Sequence, residues 1–213
     1  MARTRRQHAH DRQPRQRPPL RKATVVHDGS AFHLAAELRQ RGYEVAEGPL
    51  LGHSPRHEGP THLAVLATRA RSARGERLRE WARQLCWNGA PVLAVGDAIG
   101  PVAELFGAFP KAPRTPPAHG RLADVHSARE GLFSGMPSEF RLALAGGDRF
   151  DIEELSAEFS TTAWSRDGEL IGASHVFRPV HLLHPATLDN DETRPIVLEN
   201  LTRLLREKGG RAF

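Results

Sequence analysis

Short apolar runs alternate with amphipathic segments along the first half of the chain. Four runs rich in β-branched and aliphatic residues predict strands, at residues 22–29, 43–49, 61–68 and 90–96. The third and fourth are apolar almost throughout, which is typical of parallel strands covered on both faces. Segments with apolar residues at helical spacing lie between the strands, at 30–42 and 72–89, and a third helix is predicted after residue 97. This alternation predicts βαβ units and a mainly parallel sheet.

The second half of the chain has a different pattern. A proline-rich loop opens it at 109–122, and shorter apolar stretches up to residue 188 predict strands joined by hairpins, one of them turning at Asp167-Gly168. A last helix is predicted from near Asp191 to Gly209. The predicted fold class is therefore α/β: a mainly parallel sheet flanked by helices, with added short antiparallel strands in the second half.

Charge is concentrated at the amino terminus. The 213 residues carry a formal net charge of +5, but residues 1–22 alone carry +7, which leaves −2 for the rest. Residues 1–22 hold few apolar side chains and three prolines, so they are predicted to be a disordered basic tail, with one folded domain at 23–213. The tail could neutralise nucleic-acid phosphates, but it lacks aromatic residues for base stacking. We therefore favour a solvated extension over a nucleic-acid partner.

Other features of the composition bear on disulfides, membrane association, cofactors and metals. The single cysteine, Cys86, excludes an intramolecular disulfide, fits a reducing cytoplasm, and is predicted to be a buried structural residue of a helix. No apolar run approaches the ~18–20 residues of a membrane span, so no membrane association is expected. We find no glycine-rich phosphate loop and no convincing set of metal ligands. The sequence therefore predicts neither a cofactor nor a metal.

The segment "APVLAVGDAIGPVAELFGA" at 90–108 reads as a buried strand, a tight turn at Gly96-Asp97 and a helix. Enzymes often place a nucleophile on such an elbow, because the sharp turn projects one side chain from the sheet edge. The elbow residue here is Gly96, which has no side chain. Glycine adopts the elbow backbone conformation at little steric cost, so the turn is expected to persist without a nucleophile.

Five segments, in order, resemble one known family. They are "VHDGSAFHLAAELRQRG", the elbow segment, "HGRLADVHSAREGLFSGMP", "TAWSRDGELIG" and "LLHPATL". The elbow segment is similar to P-[IV]-L-G-[VI]-C-L-G-H-Q-x-[IL]-A-x-x-[FY]-G-G, and its matching positions are Pro91, Val92, Leu93, Val95, Val102, Ala103, Phe106 and Gly107. Together the segments resemble class I glutamine amidotransferases, nearest to the small subunits of anthranilate synthase and aminodeoxychorismate synthase, over about residues 23–206. The resemblance implies that family's fold.

The resemblance also implies a catalytic triad, of which this chain keeps one member. In the family a cysteine attacks the glutamine amide, a histidine activates it, and a glutamate two residues later orients the histidine, as general nucleophile–base–orienter logic requires. The matching positions are Gly96, His184 and Ala186. The Pro-Gly oxyanion loop, the Gly-His-Gln after the nucleophile and a glutamine-contacting Tyr-His-Ser are also missing. We expect the fold to be retained and glutaminase activity to be lost.

Three hypotheses for function follow. The first is a glutaminase-deficient amidotransferase-like subunit that supports or regulates a chorismate-using synthase, the partner that the resemblance implies. The second is an enzyme with different chemistry in the same cleft, in which His184 and Asp97 form a residual site; a solvated turn aspartate is the plainer interpretation of Asp97. The third is a nucleic-acid-associated protein that acts through the tail. The first is preferred, because the cleft has lost residues without gaining a recognisable set.

A cluster of arginines is the candidate partner interface. It comprises Arg69, Arg71, Arg74 and Arg77. Guanidinium groups are always charged and pair bidentately with carboxylates, so this segment is predicted to meet an acidic patch on a partner. An ordinary solvated loop leading into a helix is the alternative.

Overall fold

A computed structural model describes residues 21–29, 32–50, 60–68, 75–87, 89–108, 120–144 and 149–209. The nine strands in this part are β1 Arg21–His27, β2 Tyr43–Pro49, β3 Leu63–Thr68, β4 Val92–Gly96, β5 Arg121–Ser127, β6 Glu139–Leu144, β7 Phe159–Ser165, β8 Leu170–His175 and β9 Val180–Leu183. The α-helices are α1 Phe32–Gln40, α2 Gly75–Trp87, α3 Ile99–Glu104, α4 Ala186–Asp189 and α5 Thr193–Gly209. Two single turns of 3₁₀-helix lie at Gly131–Phe133 and Ile152–Glu154.

All nine strands form one sheet in the order β2-β1-β3-β4-β9-β8-β7-β5-β6. The first five are mutually parallel and the remaining pairs are antiparallel. The predicted α/β class is confirmed, and the antiparallel strands extend the parallel sheet rather than form a separate layer. Strand β9 joins the two halves, because it runs parallel to β4 and antiparallel to β8.

Helices cover both faces of the parallel half. On one face, α1 and α5 pack through Leu34, Leu38 and Leu198 onto the alternate strand residues. On the other, α2 and α3 pack through residues such as Trp81 and Val102. Burial on both faces explains why β3 and β4 are apolar almost throughout. Within the described parts of the chain, no helix is long and apolar enough to cross a membrane.

The boundary of the folded part lies before the predicted one. Arg21 and Lys22, assigned to the tail from the sequence, begin β1 and pair with Tyr43 and Glu44 of β2. Charge and low apolar content gave the wrong boundary here, because backbone pairing to an edge strand requires no apolar side chain. Residues 1–20 lie outside the described residues.

Candidate functional site

The predicted elbow lies where three adjacent parallel strands end. Gly96, the last residue of β4, pairs with Thr68, the last residue of β3. On the other side Val95 pairs with Leu183 of β9, so His184 follows at the level of Gly96. Carboxyl ends of parallel strands are where ligands of open α/β sheets bind. The topology therefore brings two of the three triad positions to one edge of the sheet.

Gly96 occupies the left-handed region, with φ of 68°. The predicted elbow conformation is therefore present, and few residues except glycine adopt it without strain. A Cβ atom built on Gly96 would lie well under 3.0 Å from the carbonyl oxygen of Thr68, a separation that real Cβ atoms essentially never show. The space for a side chain at the elbow is thus already filled by backbone of the neighbouring strand.

The Thr68 carbonyl oxygen is also a hydrogen-bond acceptor for the turn. The N–H of Asp97 donates to the Thr68 carbonyl oxygen at 2.8 Å. In nucleophile elbows, the N–H that follows the nucleophile is an oxyanion-hole donor. Here that N–H is hydrogen-bonded to the neighbouring strand. The Thr68 carbonyl oxygen therefore occupies the space that a side chain at residue 96 would need, and it also accepts the N–H that would otherwise face an oxyanion. Its hydroxyl donates in turn to Oδ2 of Asp28 at 2.7 Å.

Asp97 is not the solvated turn aspartate expected from the sequence. The residue is only partly exposed, and its Oδ2 atom is buried. The turn packs against the strand ends, which a local turn pattern does not reveal. The candidate acid–base residue thus lies at the elbow but mostly inside the protein.

His184 is buried, with 6% of its surface exposed. Its Nδ1 accepts the backbone N–H of Ala186 at 3.1 Å, which places the proton of a neutral imidazole on Nε2. Nε2 lies 3.5 Å from Oε1 of Glu169. A backbone group thus contacts Nδ1 of His184, and a carboxylate faces its Nε2.

Glu169, like Thr68, is a site residue that no sequence motif singled out. It lies in the β7–β8 hairpin, directly before β8, and is buried, with 6% exposed. Its Oε2 accepts from Nη2 of Arg121 at 2.5 Å. Burial raises the pKa of Glu169, and the hydrogen bond and charge of Arg121 oppose that rise. Glu169 is the glutamate of "DGE" in the segment "TAWSRDGELIG", which resembles a family motif. The motif therefore includes this residue, but it does not indicate that the side chain faces His184.

A neighbouring carboxylate has the opposite shift. Asp167 accepts from Nη2 of Arg121 at 3.2 Å, from Nη1 of Arg149 at 3.0 Å and from the Ser165 hydroxyl at 2.6 Å. Burial alone would raise its pKa, but these hydrogen bonds and the two positive charges lower the pKa of Asp167 to about 2. The cluster is therefore an ion-pair network in which Asp167 is ionised, and Glu169 connects it to His184.

The third triad position has a structural role. Ala186 is 2% exposed and is the first residue of α4. Its N–H donates to the histidine where the family's glutamate would accept from it. The imidazole is thus held by a backbone donor in place of a side-chain acceptor.

A small cavity of about 40 Å³ lies beside the elbow, on the α1 and α5 side of the sheet. Its lining includes Thr68, Val95 and Pro185, and its charged residues are Glu37 of α1, Asp189 of α4 and Arg194 of α5. The Nε of Arg194 lies 3.9 Å from Oε1 of Glu37. The cavity is therefore largely apolar, and two of its charged residues, Glu37 and Arg194, form an ion pair with each other. Gly96 is not among the residues that line it.

The remaining predicted residues lie elsewhere. Arg77 is an exposed residue of α2 whose guanidinium carbon lies 5.8 Å from the centre of the Trp81 ring. Arg69, Arg71 and Arg74 lie outside the described residues. Cys86 is buried in α2, as predicted, and burial raises the pKa of its thiol to about 11. Across the described ranges, no group of three or more His, Cys, Asp or Glu side chains could hold a metal ion.

Comparison with known proteins identifies the fold. No protein-family model matches the chain. A protein described as a GMP synthase subunit from Thermoplasma acidophilum is similar in structure with a TM-score of 0.73 and 21% identity, over 91% of this chain and 98% of that one. A glutamine amidotransferase from Thermotoga maritima matches with a TM-score of 0.63 and 16% identity, over 90% and 86% of the two chains.

A third similarity is to a chain of the PurLQS structure from Thermotoga maritima. Its TM-score is 0.58 at 13% identity, over 88% of this chain and 100% of that one. At these identities the likeness concerns the fold, and the chain has a glutamine amidotransferase-like fold. The class I amidotransferase architecture that the sequence motifs implied is thereby confirmed.

Proposed function

We propose that this chain is a glutamine amidotransferase-like protein that has lost glutaminase activity and acts in the cytoplasm as a structural or regulatory partner of another enzyme. The observation that carries the proposal is the position of the Thr68 carbonyl oxygen. It fills the space that a nucleophilic side chain would need at residue 96, and it accepts the N–H of Asp97. The site thus lacks room for a nucleophile as well as the nucleophile itself.

Glutamine hydrolysis needs a nucleophile, a base that deprotonates it, and donors that stabilise the oxyanion. Gly96 supplies no nucleophile. The Nδ1 lone pair of His184 accepts the Ala186 N–H, and its Nε2 faces Glu169 at 3.5 Å. The Asp97 N–H is already hydrogen-bonded. Each requirement is thus opposed by a separate contact, which supports a loss that one substitution does not reverse.

The alternative of new chemistry at His184 and Asp97 gains no support from this geometry. His184 contacts the backbone of α4 through Nδ1 and faces the buried Glu169 carboxylate through Nε2, so both of its ring nitrogens already have a neighbour in the protein. The nucleic-acid hypothesis rests on residues 1–20, which lie outside the described residues, and on Arg21 and Lys22, which belong to β1.

A restoration experiment tests the loss of activity. We expect the double variant Gly96→Cys, Ala186→Glu to release no more ammonia from glutamine than the unmodified chain, because the cysteine Cβ meets the Thr68 carbonyl. Loss of one oxyanion donor alone costs about 10²–10³-fold in rate. Clear glutamine turnover by the double variant, absent when His184 is replaced by Ala, would show that the site is intact apart from the two residues.

The proposed partner belongs to the chorismate-using synthases. Support comes from the motif resemblance to the small subunits of anthranilate and aminodeoxychorismate synthases. One structural neighbour is itself described as part of a larger enzyme, GMP synthase. In the family the resemblance implies, the synthase covers the glutaminase cleft, so the docking surface would include the strand ends around Gly96 and His184.

The arginine cluster provides the test of that partnership. Reversing Arg69 and Arg71 to Glu is expected to slow association with an acidic partner surface and to weaken its salt dependence, while the melting temperature of the free chain stays unchanged. Binding to a co-purified synthase is measured at several salt concentrations. A partner that binds the reversed variant as fast as the original chain would place the interface elsewhere.

A further inference from the structure

Apolar side chains are exposed together at the edge of the sheet opposite the elbow. Among the described residues, four large apolar side chains are more than half exposed, and three of them lie at this edge: Trp87 at 70%, Val176 at 53% and Phe177 at 79%. Trp87 ends α2 just before β4, and the other two precede β9. Because β4 and β9 begin here and end at the elbow, the two edges are separated by about 13 Å along the strands.

A hollow of about 360 Å³ at this edge is open to solvent. Its walls include Trp87, Leu105 and Phe106, and its polar rim consists of Glu158 and Arg178. Glu158 and Arg178 are both exposed. An exposed apolar cluster with a polar rim is the usual composition of a protein–protein contact site.

Phe177 projects beside the hollow on a rigid backbone. The N–H groups of Phe177 and Arg178 donate to Nδ1 of buried His175 at 3.0 and 3.1 Å, and the Val176 N–H donates to the Glu158 carbonyl at 2.8 Å. Nε2 of His175 lies 2.9 Å from the Glu158 carboxylate. The His175 ring is 4.6 Å from that of Phe106 in the hollow and 6.4 Å from that of Phe177. An exposed aromatic side chain on so fixed a backbone loses little entropy on binding.

We propose that this edge, defined by Trp87, Phe106, Glu158, Phe177 and Arg178, is the interface of a two-fold symmetric dimer of this chain. A protruding aromatic side chain and a hollow lie side by side on one surface, so a two-fold axis places Phe177 of each copy into the hollow of the other. The same operation brings Glu158 of one copy to Arg178 of the other, twice. A surface that is complementary to itself in both shape and charge is what an isologous contact requires.

This inference goes beyond the proposed function and is independent of it. The dimer uses the edge where the parallel strands begin, and the proposed partner docks where they end. Both contacts can be made at once, and neither needs glutaminase activity or its loss.

Sedimentation of the full chain across protomer concentrations from about 1 to about 100 µM, the range where modest interfaces associate, tests the proposal. We expect the mass to rise from 23.5 kDa towards twice that value. Phe177→Glu should stay monomeric, and the matched control Leu122→Glu, at a site 64% exposed on β5, should dimerise as the original chain does. A monomer throughout the range, or a dimer that persists in Phe177→Glu, overturns the proposal.

A charge exchange provides a second arm that does not rely on Phe177→Glu alone. Glu158→Arg and Arg178→Glu are each expected to weaken self-association, because each places like charges opposite one another across the axis, and Glu158→Arg also removes the carboxylate that lies 2.9 Å from Nε2 of His175. An equimolar mixture of the two variants should recover the dimer, since every contact then joins opposite charges. Failure of the mixture to associate, when both variants melt as the original chain does, contradicts the two-fold arrangement.

Discussion

Replacing Gly96 by alanine is the sharpest perturbation of the elbow, because it adds one methyl group where the Thr68 carbonyl oxygen already lies. Part of the expected loss in the free energy of unfolding is backbone strain, the backbone term, because φ of 68° is a left-handed conformation that costs a non-glycine residue about 1–2 kcal/mol. The other part is steric overlap, the contact term, because the new Cβ would lie well under 3.0 Å from that oxygen. Relief requires a shift of β3, which pairs on both sides with β1 and β4.

Such overpacking costs about 1–3 kcal/mol, and loss of the hydrogen bond from Asp97 about 1 kcal/mol more. The total expected loss in free energy of unfolding is therefore about 2–5 kcal/mol, since the steric cost and the loss of the hydrogen bond overlap. Urea unfolding followed by circular dichroism measures it as a shift in midpoint at unchanged slope.

Gly135 is the matched control. Its φ of 81° is equally left-handed, but a Cβ there has nothing within 4 Å. Gly135→Ala should lose only the backbone term, about 1–2 kcal/mol. If the two alanine variants lose the same free energy of unfolding, the Thr68 carbonyl does not fill the elbow and the steric argument for the missing nucleophile is refuted.

Two further predictions concern titratable groups. Cys86, with a pKa of about 11, should react with a thiol reagent at pH 8 only when urea unfolds the chain; fast reaction of the folded protein would show that α2 opens. Because the folded-state pKa of Glu169 is raised, its contribution to stability is fully present below its unfolded pKa of about 4.3 and is lost as pH rises through the folded value. Glu169→Gln should remove that pH dependence from thermal melts above about pH 4.3, and an unchanged profile would exclude Glu169 as its source.

Much of the fold follows from local patterns. The apolar runs of β3 and β4 and the spacing of Leu78, Trp81 and Leu85 in α2 depend only on neighbours in sequence, and all are found as predicted. The elbow is also local, since Gly96 marks a left-handed turn between a strand and a helix. The fold family was indicated only by five weak motifs occurring in the family's order, since no single motif is specific enough to identify it.

The contacts that decide the chemistry are long-range and were not predicted. Thr68 reaches Gly96 across 28 positions because β3 and β4 pair in one register, and the sequence contains no mark of that register. Glu169 meets His184 because β8 pairs with β9. The turn after His184 folds into α4, although a proline and a four-residue helix give almost no periodic signal. Local patterns thus indicate Gly96, His184 and Ala186 as positions of the candidate site, but not what each one touches.

The proposed loss of glutaminase activity is measured by the release of ammonia from glutamine. The purified chain, assayed alone and after incubation with any co-purified partner, is compared with a no-enzyme control and with an active amidotransferase. We expect ammonia at the level of the no-enzyme control in both preparations. Sustained release that saturates with glutamine and disappears on His184→Ala would contradict it.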